Sequence, residues 1–328
     1  MKSLEALNSY LEVFQQYFDR DGVTEVTVNK PHQIWIEQYG AMAEFESASL
    51  DFDFLRSMAS LIAASTEQII SEERPLLSAT LPNGYRVQVV IPPACENGTI
   101  AFSIRKPSPL NWTLDDYEKM HCFEETETKE VKDEKNDFLA KMIEEKKIKE
   151  FLQSCVRWKK NIIVSGGTST GKTTFTNAII RAIPKDERLI TIEDAREINL
   201  TSHQNKLHLL SSKGGQGRAN VTTQDLVEAC LRLRPDRIIV GELRGAEAFS
   251  FLRAINTGHP GSVSTLHADT PAGAIEQLKL MVMQAGLGMP PSEIKDYIKN
   301  VVDVIVQLKR GANSVRYVSE IYFKHTQG

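Results

Sequence analysis

The chain has 328 residues and a formal net charge of −4, with 25% of its residues Asp, Glu, Lys or Arg. That length accommodates two units with their own cores, and the acidic balance excludes a whole-protein electrostatic footprint for nucleic acid, so no specific nucleic-acid binding is expected. Cys95, Cys122, Cys155 and Cys230 form no C-x-x-C pair, no apolar run approaches the ~20 residues of a membrane span, and charged residues interrupt the N-terminus. These features point to a cytoplasmic protein in a reducing compartment, without a zinc site or signal peptide.

Leu4, Leu7, Leu11, Phe14 and Phe18 recur at three- and four-residue steps and predict an amphipathic helix over 3–18. Its polar face carries Glu5, Glu12 and Asp19, which favours packing within the protein over an anionic membrane surface. Strands are predicted over 23–28 and 33–37 around Asn29-Lys30-Pro31, then a helical stripe of Phe54, Met58, Leu61, Ile62, Ser65 and Ile69. Segments 76–81 and 85–91 flank Pro82-Asn83-Gly84, a hairpin signal. In the second arm Tyr85, Val87, Val89 and Ile91 share one face and leave Arg86 and Gln88 on the other. Strand 99–105 sets Ile100, Phe102 and Ile104 against Ala101, Ser103 and Arg105, so Arg86 and Arg105 are both expected opposite the apolar face. Residues 1–107 thus read as a small α+β domain.

Charged residues dominate from Asp115 to about Lys149, and 108–150 reads as a solvated, partly helical interdomain linker. From about Glu150 strands and helices alternate. The fold class predicted for 151–328 is α/β, a mostly parallel sheet with helices on both faces. Its strands are expected at 161–165, 188–193, 237–242, 261–266 and 301–308, with an edge strand at 315–322. Helices are expected after the first of these strands and over 223–232, 246–256 and 271–285.

The segment GGTSTGKT, Gly166 to Thr173, satisfies the phosphate-loop spacing G-x-x-x-x-G-K-[ST], between a strand and a helix. Glycines let backbone N–H groups turn inward around a phosphate, and the helix N-terminus adds positive potential. The nucleotide-binding candidates are therefore Gly166, Gly167, Thr168, Ser169, Thr170, Gly171, Lys172, Thr173 and Thr174. Lys172 is expected to reach the β- and γ-phosphates of ATP, and the Thr173 hydroxyl to ligate Mg²⁺.

Three more segments end predicted strands, where ligands gather in such sheets. Glu193 and Asp194 close the 188–193 strand, which is expected to lie beside the phosphate-loop strand; one carboxylate is a candidate for the metal shell and the other for activating water. Glu242 follows Gly241, where an aspartate is usual, and is a candidate base. His259 and His267 bracket a short strand; spacing alone leaves a structural and a catalytic role equally open. Arg232, Arg234 and Arg237 precede the Glu242 strand, with ion pairing as their ordinary role.

Taken in order, the phosphate loop, the Ile192-Glu193-Asp194 box, the Gly241-Glu242-Leu243-Arg244 segment and the Thr265-Leu266-His267-Ala268 box resemble the secretion-ATPase superfamily of hexameric traffic ATPases. Within it the motifs are most similar to the ATPase of type IV secretion and conjugation systems. The resemblance is strong over 155–310, moderate over 20–107, and absent from the charged linker.

It implies a RecA-like ATPase domain, a homo-hexamer, partners in a secretion or conjugation machinery, and a peripheral position on the inner membrane. By the same likeness, nucleotide is held between the N-terminal and RecA-like domains, hydrolysis is coupled to domain rocking toward substrate export or pilus assembly, and Arg86 and Arg105 approach the γ-phosphate from the N-terminal domain as arginine fingers. Glu193 and Glu242 supply the water-activating and metal-shell acids, Asp194 stands near the metal, and His267 senses the γ-phosphate. A type II secretion or pilus motor stays open as a sibling reading, although the four-cysteine module of many type II motors has no counterpart in this sequence. A small-molecule kinase or DNA-stimulated translocase would share the loop, but a kinase has no use for Arg86 and Arg105 on a separate domain.

Overall fold

The first hundred residues fold as helices on one side of an antiparallel sheet. The structure, a computed structural model, describes residues 2–107, 112–124, 126, 133–212 and 219–326. In chain order, α1 (Lys2–Phe18) leads to β1 (Val23–Val28), β2 (Gln33–Gln38), β3 (Ala41–Glu46), α2 (Phe52–Ser65), β4 (Leu76–Thr80), β5 (Arg86–Val90) and β6 (Ala101–Arg105). The strands lie in the order β3-β2-β1-β6-β5-β4. Leu7, Phe14 and Phe18 of α1, with Leu55, Met58 and Ile62 of α2, pack on Val26, Val87 and Phe102. Burial of each such side chain contributes about 1.5–3 kcal/mol.

The stripe expected to run to Ile69 stops earlier. The Thr66 hydroxyl donates back to the Ile62 carbonyl at 2.9 Å, Glu67 takes a left-handed φ of 55°, and Ile69 is exposed. The sheet face away from the helices is polar: Glu25, Gln88 and Ser103 are buried there, and Ser103 donates to Glu25.

Three helices follow, α3 (Leu114–Lys119), α4 (Glu134–Glu144) and α5 (Ile148–Arg157). The tract predicted as a solvated linker does not all stay in water. Leu139 of α4 is buried with Phe151 and Cys155 of α5 in the next core, because an apolar residue every helical turn suffices to dock a helix that is otherwise charged. Parts of the tract, 108–111, 125 and 127–132, lie outside the described residues.

The chain continues through β7 (Ile162–Gly166), α6 (Lys172–Ile180), β8 (Leu189–Glu193), β9 (Lys206–Leu210), α7 (Thr223–Cys230), β10 (Arg237–Val240), α8 (Glu247–Asn256), β11 (Val263–Leu266), α9 (Pro271–Met283), α10 (Pro291–Val301), β12 (Val304–Arg310) and β13 (Arg316–Phe323). The sheet order is β13-β12-β7-β11-β10-β8-β9, parallel except for the antiparallel edge strand β13. Alternate residues serve opposite faces. Ile163, Ile190 and Ile238 pack under α7 to α10, while Ile162, Val164 and Ile239 pack with Phe151 and Ile180 on the other side. Helices therefore cover both faces, as the alternation predicts.

One adjacency differs from expectation. β8 does not lie beside β7, since β11 and β10 stand between them. The chain crosses past two positions that later strands fill, an order that local sequence does not encode.

The two units share a junction. Cys95 forms an antiparallel bridge with Leu209, so the first unit extends the second sheet at its β9 edge. Arg188, fully buried, donates to Asn29 Oδ1 at 2.6 Å and to the Leu233 carbonyl at 3.0 Å. Val90, Ala94, Cys95 and Ala101 join the apolar core beneath α7 to α10.

Candidate functional site

Four adjacent parallel strands, β7, β11, β10 and β8, deliver their carboxyl ends to one edge of the sheet. There the chain enters the phosphate loop, His267, Gly241-Glu242 and Asp194 respectively. A cavity of about 820 Å³ opens between them, lined by residues 169–174 together with Glu193, Asp194, Glu242, Arg244 and Arg316. Such a volume suits a nucleotide-sized ligand.

Sterics dictate two of the loop glycines. A Cβ on Gly166 would fall 2.9 Å from the Leu308 carbonyl oxygen. Gly171 caps α6 with φ 88°, a left-handed angle that side chains resist, and a Cβ there would lie 2.9 Å from Cδ of Arg316. The backbone can thus turn tightly and leave the N-terminus of α6 open.

Lys172 curls over the loop and donates to the carbonyls of Gly166 at 2.9 Å and Gly167 at 3.2 Å. Its third contact is with His267 Nδ1 at 3.3 Å. An ammonium can only donate, so Nδ1 accepts and Nε2–H donates to Glu242 Oε1, 2.9 Å away. Arg244 then bridges Glu242 Oε2 and Asp194 Oδ2, each at 2.7 Å. A continuous polar line therefore runs Lys172, His267, Glu242, Arg244, Asp194. Burial draws the Lys172 pKa down, with Glu242 opposing it, whereas the hydrogen bonds that Arg244 donates to the Glu242 and Asp194 carboxylates hold its guanidinium above the ordinary range.

Glu193 is buried, and Oε1 accepts from the backbone N–H groups of Glu197 and Ile198, both at 2.8 Å. Oε2 has no hydrogen-bond partner among the described residues. Burial pushes this carboxyl above the usual range, against the two N–H donors. An unsatisfied buried acceptor costs about 1–3 kcal/mol, and this one borders the cavity, where a ligand or water can reach it. The glycine before Glu242 also has a cause: a Cβ on Gly241 would lie 3.2 Å from Glu193 Cγ. The aspartate usual at that position would press on Glu193. Thr173 Oγ1 donates to Glu197 Oε2 at 3.0 Å.

Arg86 and Arg105 are placed elsewhere. They line a separate cleft of about 700 Å³ with Gln88, Arg232 and His259, whereas the lining of the phosphate-loop cavity includes no residue before Ser169. Arg234 binds Glu37 and Asp236, and Arg237 binds Glu187 and the Gly261 carbonyl, so both act as ion-pairing residues within the fold. His259 Nδ1 donates to the Pro235 carbonyl at 2.9 Å. Sequence reasoning did not assign Arg244, Glu197 or Arg316. The first two stand two and four residues after assigned acids, a usable signal, but Arg316 comes from the far edge strand and carries none.

A mostly parallel sheet in which an inner strand runs through a phosphate loop into a helix, with acids at the ends of two further strands of the same sheet, defines the class of phosphate-loop nucleotide-binding proteins. Residues 11–316 match the family described as Type II/IV secretion system protein, and the chain belongs to that family. It is 38% identical over 327 residues to the type IV secretion system protein VirB11 of Bartonella quintana, covering 95% of this chain and 91% of that protein. The VirB11 of Brucella suis is likewise 38% identical, over 331 residues, covering 98% of this chain and 91% of that protein. The crystal structure of the VirB11 ATPase from the Brucella suis type IV secretion system, in complex with sulphate, superposes with a TM-score of 0.93 at 36% identity. That match covers 99% of this chain and 96% of the other. Among the described residues, no helix is long and apolar enough to cross a membrane.

Proposed function

We propose that this chain is the ATP-hydrolysing motor of a type IV secretion or conjugation system, acting as a homo-hexamer at the cytoplasmic face of the inner membrane. Its working parts are the α+β domain 1–107, the connector 108–150 and the RecA-like ATPase domain 151–328. The observation that carries the reading is the unbroken line from Lys172 through His267, Glu242 and Arg244 to Asp194, set beside buried Glu193.

In this mechanism the loop N–H groups and Lys172 take the phosphates, and Lys172 exchanges the Gly166 and Gly167 carbonyls for β- and γ-oxygens. Because His267 touches both Lys172 and Glu242, any shift of the lysine toward phosphate is felt at Glu242. Glu193, with one uncommitted oxygen and a raised pKa, suits proton abstraction from the attacking water. The hard oxygen donors of Thr173, Asp194 and Glu242, which all line the cavity, fit Mg²⁺. Bound together with phosphate oxygens, the ion would neutralise charge on the transferring group.

Arg86 and Arg105 remain the arginine-finger candidates. Since they face a cleft away from their own loop, they serve a neighbouring subunit's phosphates in the ring. The defining experiment measures ATP turnover, nucleotide retention and sedimentation with Mg-ATP. Lys172→Ala should lose turnover, Glu242→Gln should retain ATP without cleaving it, and the wild type should sediment as a hexamer. Wild-type turnover in Lys172→Ala would overturn the assignment.

A further inference from the structure

The junction between the two units carries a hydrogen-bonded line that ends at Thr191, beside Glu193. The backbone around Cys95 runs along the outer edge of β9, where the Leu210 N–H donates to the Ala94 carbonyl at 2.8 Å. The next side chain, Glu96, is ion-paired with Arg196. The other terminal nitrogen of Arg196 lies 3.2 Å from His208 Nε2, and His208 Nδ1 lies 2.8 Å from Thr191 Oγ1. Thr191 and His208 are direct partners in the β8–β9 ladder. Thr191 also shares a strand face with Glu193, two residues on, and its hydroxyl helps hold the Glu193 carboxyl down against burial.

The polarity of this line follows from its members. A guanidinium only donates, so Nε2 of His208 accepts, and Nδ1–H donates to Thr191. The Thr191 hydrogen is then not used by His208 and is free to turn toward Glu193, two residues on along the same strand face. Burial, reinforced by Arg196 and Lys206, brings the His208 pKa down to about 4, which keeps the imidazole in the neutral form that this line requires. His208 is only 2% exposed and both of its nitrogens are engaged. A fully satisfied polar network in a low-dielectric interior is stiff and specifies one arrangement.

We infer that His208 is a positioning residue, which carries the docking of the six-stranded unit on β9 through Glu96, Arg196 and Thr191 to the carboxylate of Glu193. The inference rests on the reading of Glu193 as the group that activates water. When the first unit leaves β9, Glu96 leaves Arg196, the donor set of His208 loosens, and Thr191 no longer holds one orientation toward Glu193. Hydrolysis is thereby matched to the docked state.

The test uses the full chain and reads kcat and KM for ATP, with thermal unfolding as a check on folding. His208→Leu and Glu96→Gln should each lower kcat by about tenfold with KM nearly unchanged, and the double variant should be no worse than His208→Leu alone, since members of one line are not additive. His208→Gln, which offers an acceptor to Arg196 and a donor to Thr191, should restore most of the rate. Wild-type kcat in His208→Leu, or losses that multiply in the double variant, overturns the inference. Should His208→Leu fail to fold, Glu96→Gln decides the matter alone, because Glu96 lies outside the sheet core. Glu193→Gln is measured beside them: if it keeps turnover, the reading of Glu193 is wrong. If it is inactive while the other variants are unaffected, only the relay fails.

Discussion

Arg86 and Arg105 stand directly opposite each other on the antiparallel strands β5 and β6, both exposed and neither side chain making a hydrogen bond among the described residues, while Arg105 also faces Glu25 on β1. Like charges in opposed positions cost a sheet a few tenths to about 1 kcal/mol. Retaining such a pair makes sense if both guanidinium groups await an anion.

That arrangement makes the first prediction a complementation. Arg86→Ala subunits and Lys172→Ala subunits should each hydrolyse little ATP as uniform rings. Mixed before assembly, they should regain part of the wild-type rate, since an intact Arg86 can then face an intact Lys172 on its neighbour. A mixture as inactive as its components would place both groups in one subunit. Arg86→Gln alone should raise thermal stability slightly, by relieving the opposed charges.

Arg316 reaches over Gly171 with no hydrogen bond or ion pair among the described residues, at the mouth of the cavity. A guanidinium there can meet phosphate or stack on a base, each worth about 1–2 kcal/mol. Arg316→Ala is expected to raise KM for ATP about tenfold while leaving kcat near wild type, because the residue binds and does no chemistry. Steady-state kinetics at saturating and limiting ATP separate these effects.

Gly241 is where space limits chemistry. In Gly241→Ala the added methyl must push on Glu193 Cγ, now 3.2 Å from the Cβ position. The expected outcome is a fall in kcat of about tenfold or more, with nucleotide affinity measured by calorimetry unchanged. An unaffected kcat would mean that the position of Glu193 is not critical.

His208 also predicts a pH dependence of stability. Its pKa falls from the ordinary 6.5 to about 4 in the folded chain, chiefly through burial. Between those values the unfolded chain binds a proton that native His208 refuses. The contribution is therefore fully present above pH 6.5 and is lost as pH falls toward 4. At about 1.4 kcal/mol per pH unit this amounts to roughly 3 kcal/mol. Denaturant unfolding of His208→Gln should show a flatter acid limb than the wild type. His203 and His259, also lowered by burial, act in both chains, so the difference isolates His208.

Much of the fold is readable from local pattern. Apolar runs at β7, β8 and β10 announce buried parallel strands, and Thr270-Pro271 announces the start of α9, where the Thr270 side chain accepts from the Gly273 N–H. β9 is harder to read, because Lys206 and His208 interrupt a short run and its partners are remote in sequence. β3 reads Ala-Met-Ala-Glu-Phe-Glu, an edge strand with acids facing water, and α10 starts inside a Pro290-Pro291 pair that resembles a loop.

The amino-acid sequence by itself determined the contiguous parts of this protein: the phosphate loop, the acids and histidine that close neighbouring strands, and the face on which Arg86 and Arg105 lie. These are local matters of backbone sterics and alternation. Only the tertiary structure decided that two strands separate β7 from β8, that Arg244 joins Glu242 to Asp194, and that Glu96 meets Arg196, and through it His208, across the junction. It also decided which cavity each arginine faces. Such pairings depend on chain crossings and on segments remote in sequence, whose meeting is set by the packing of the whole core.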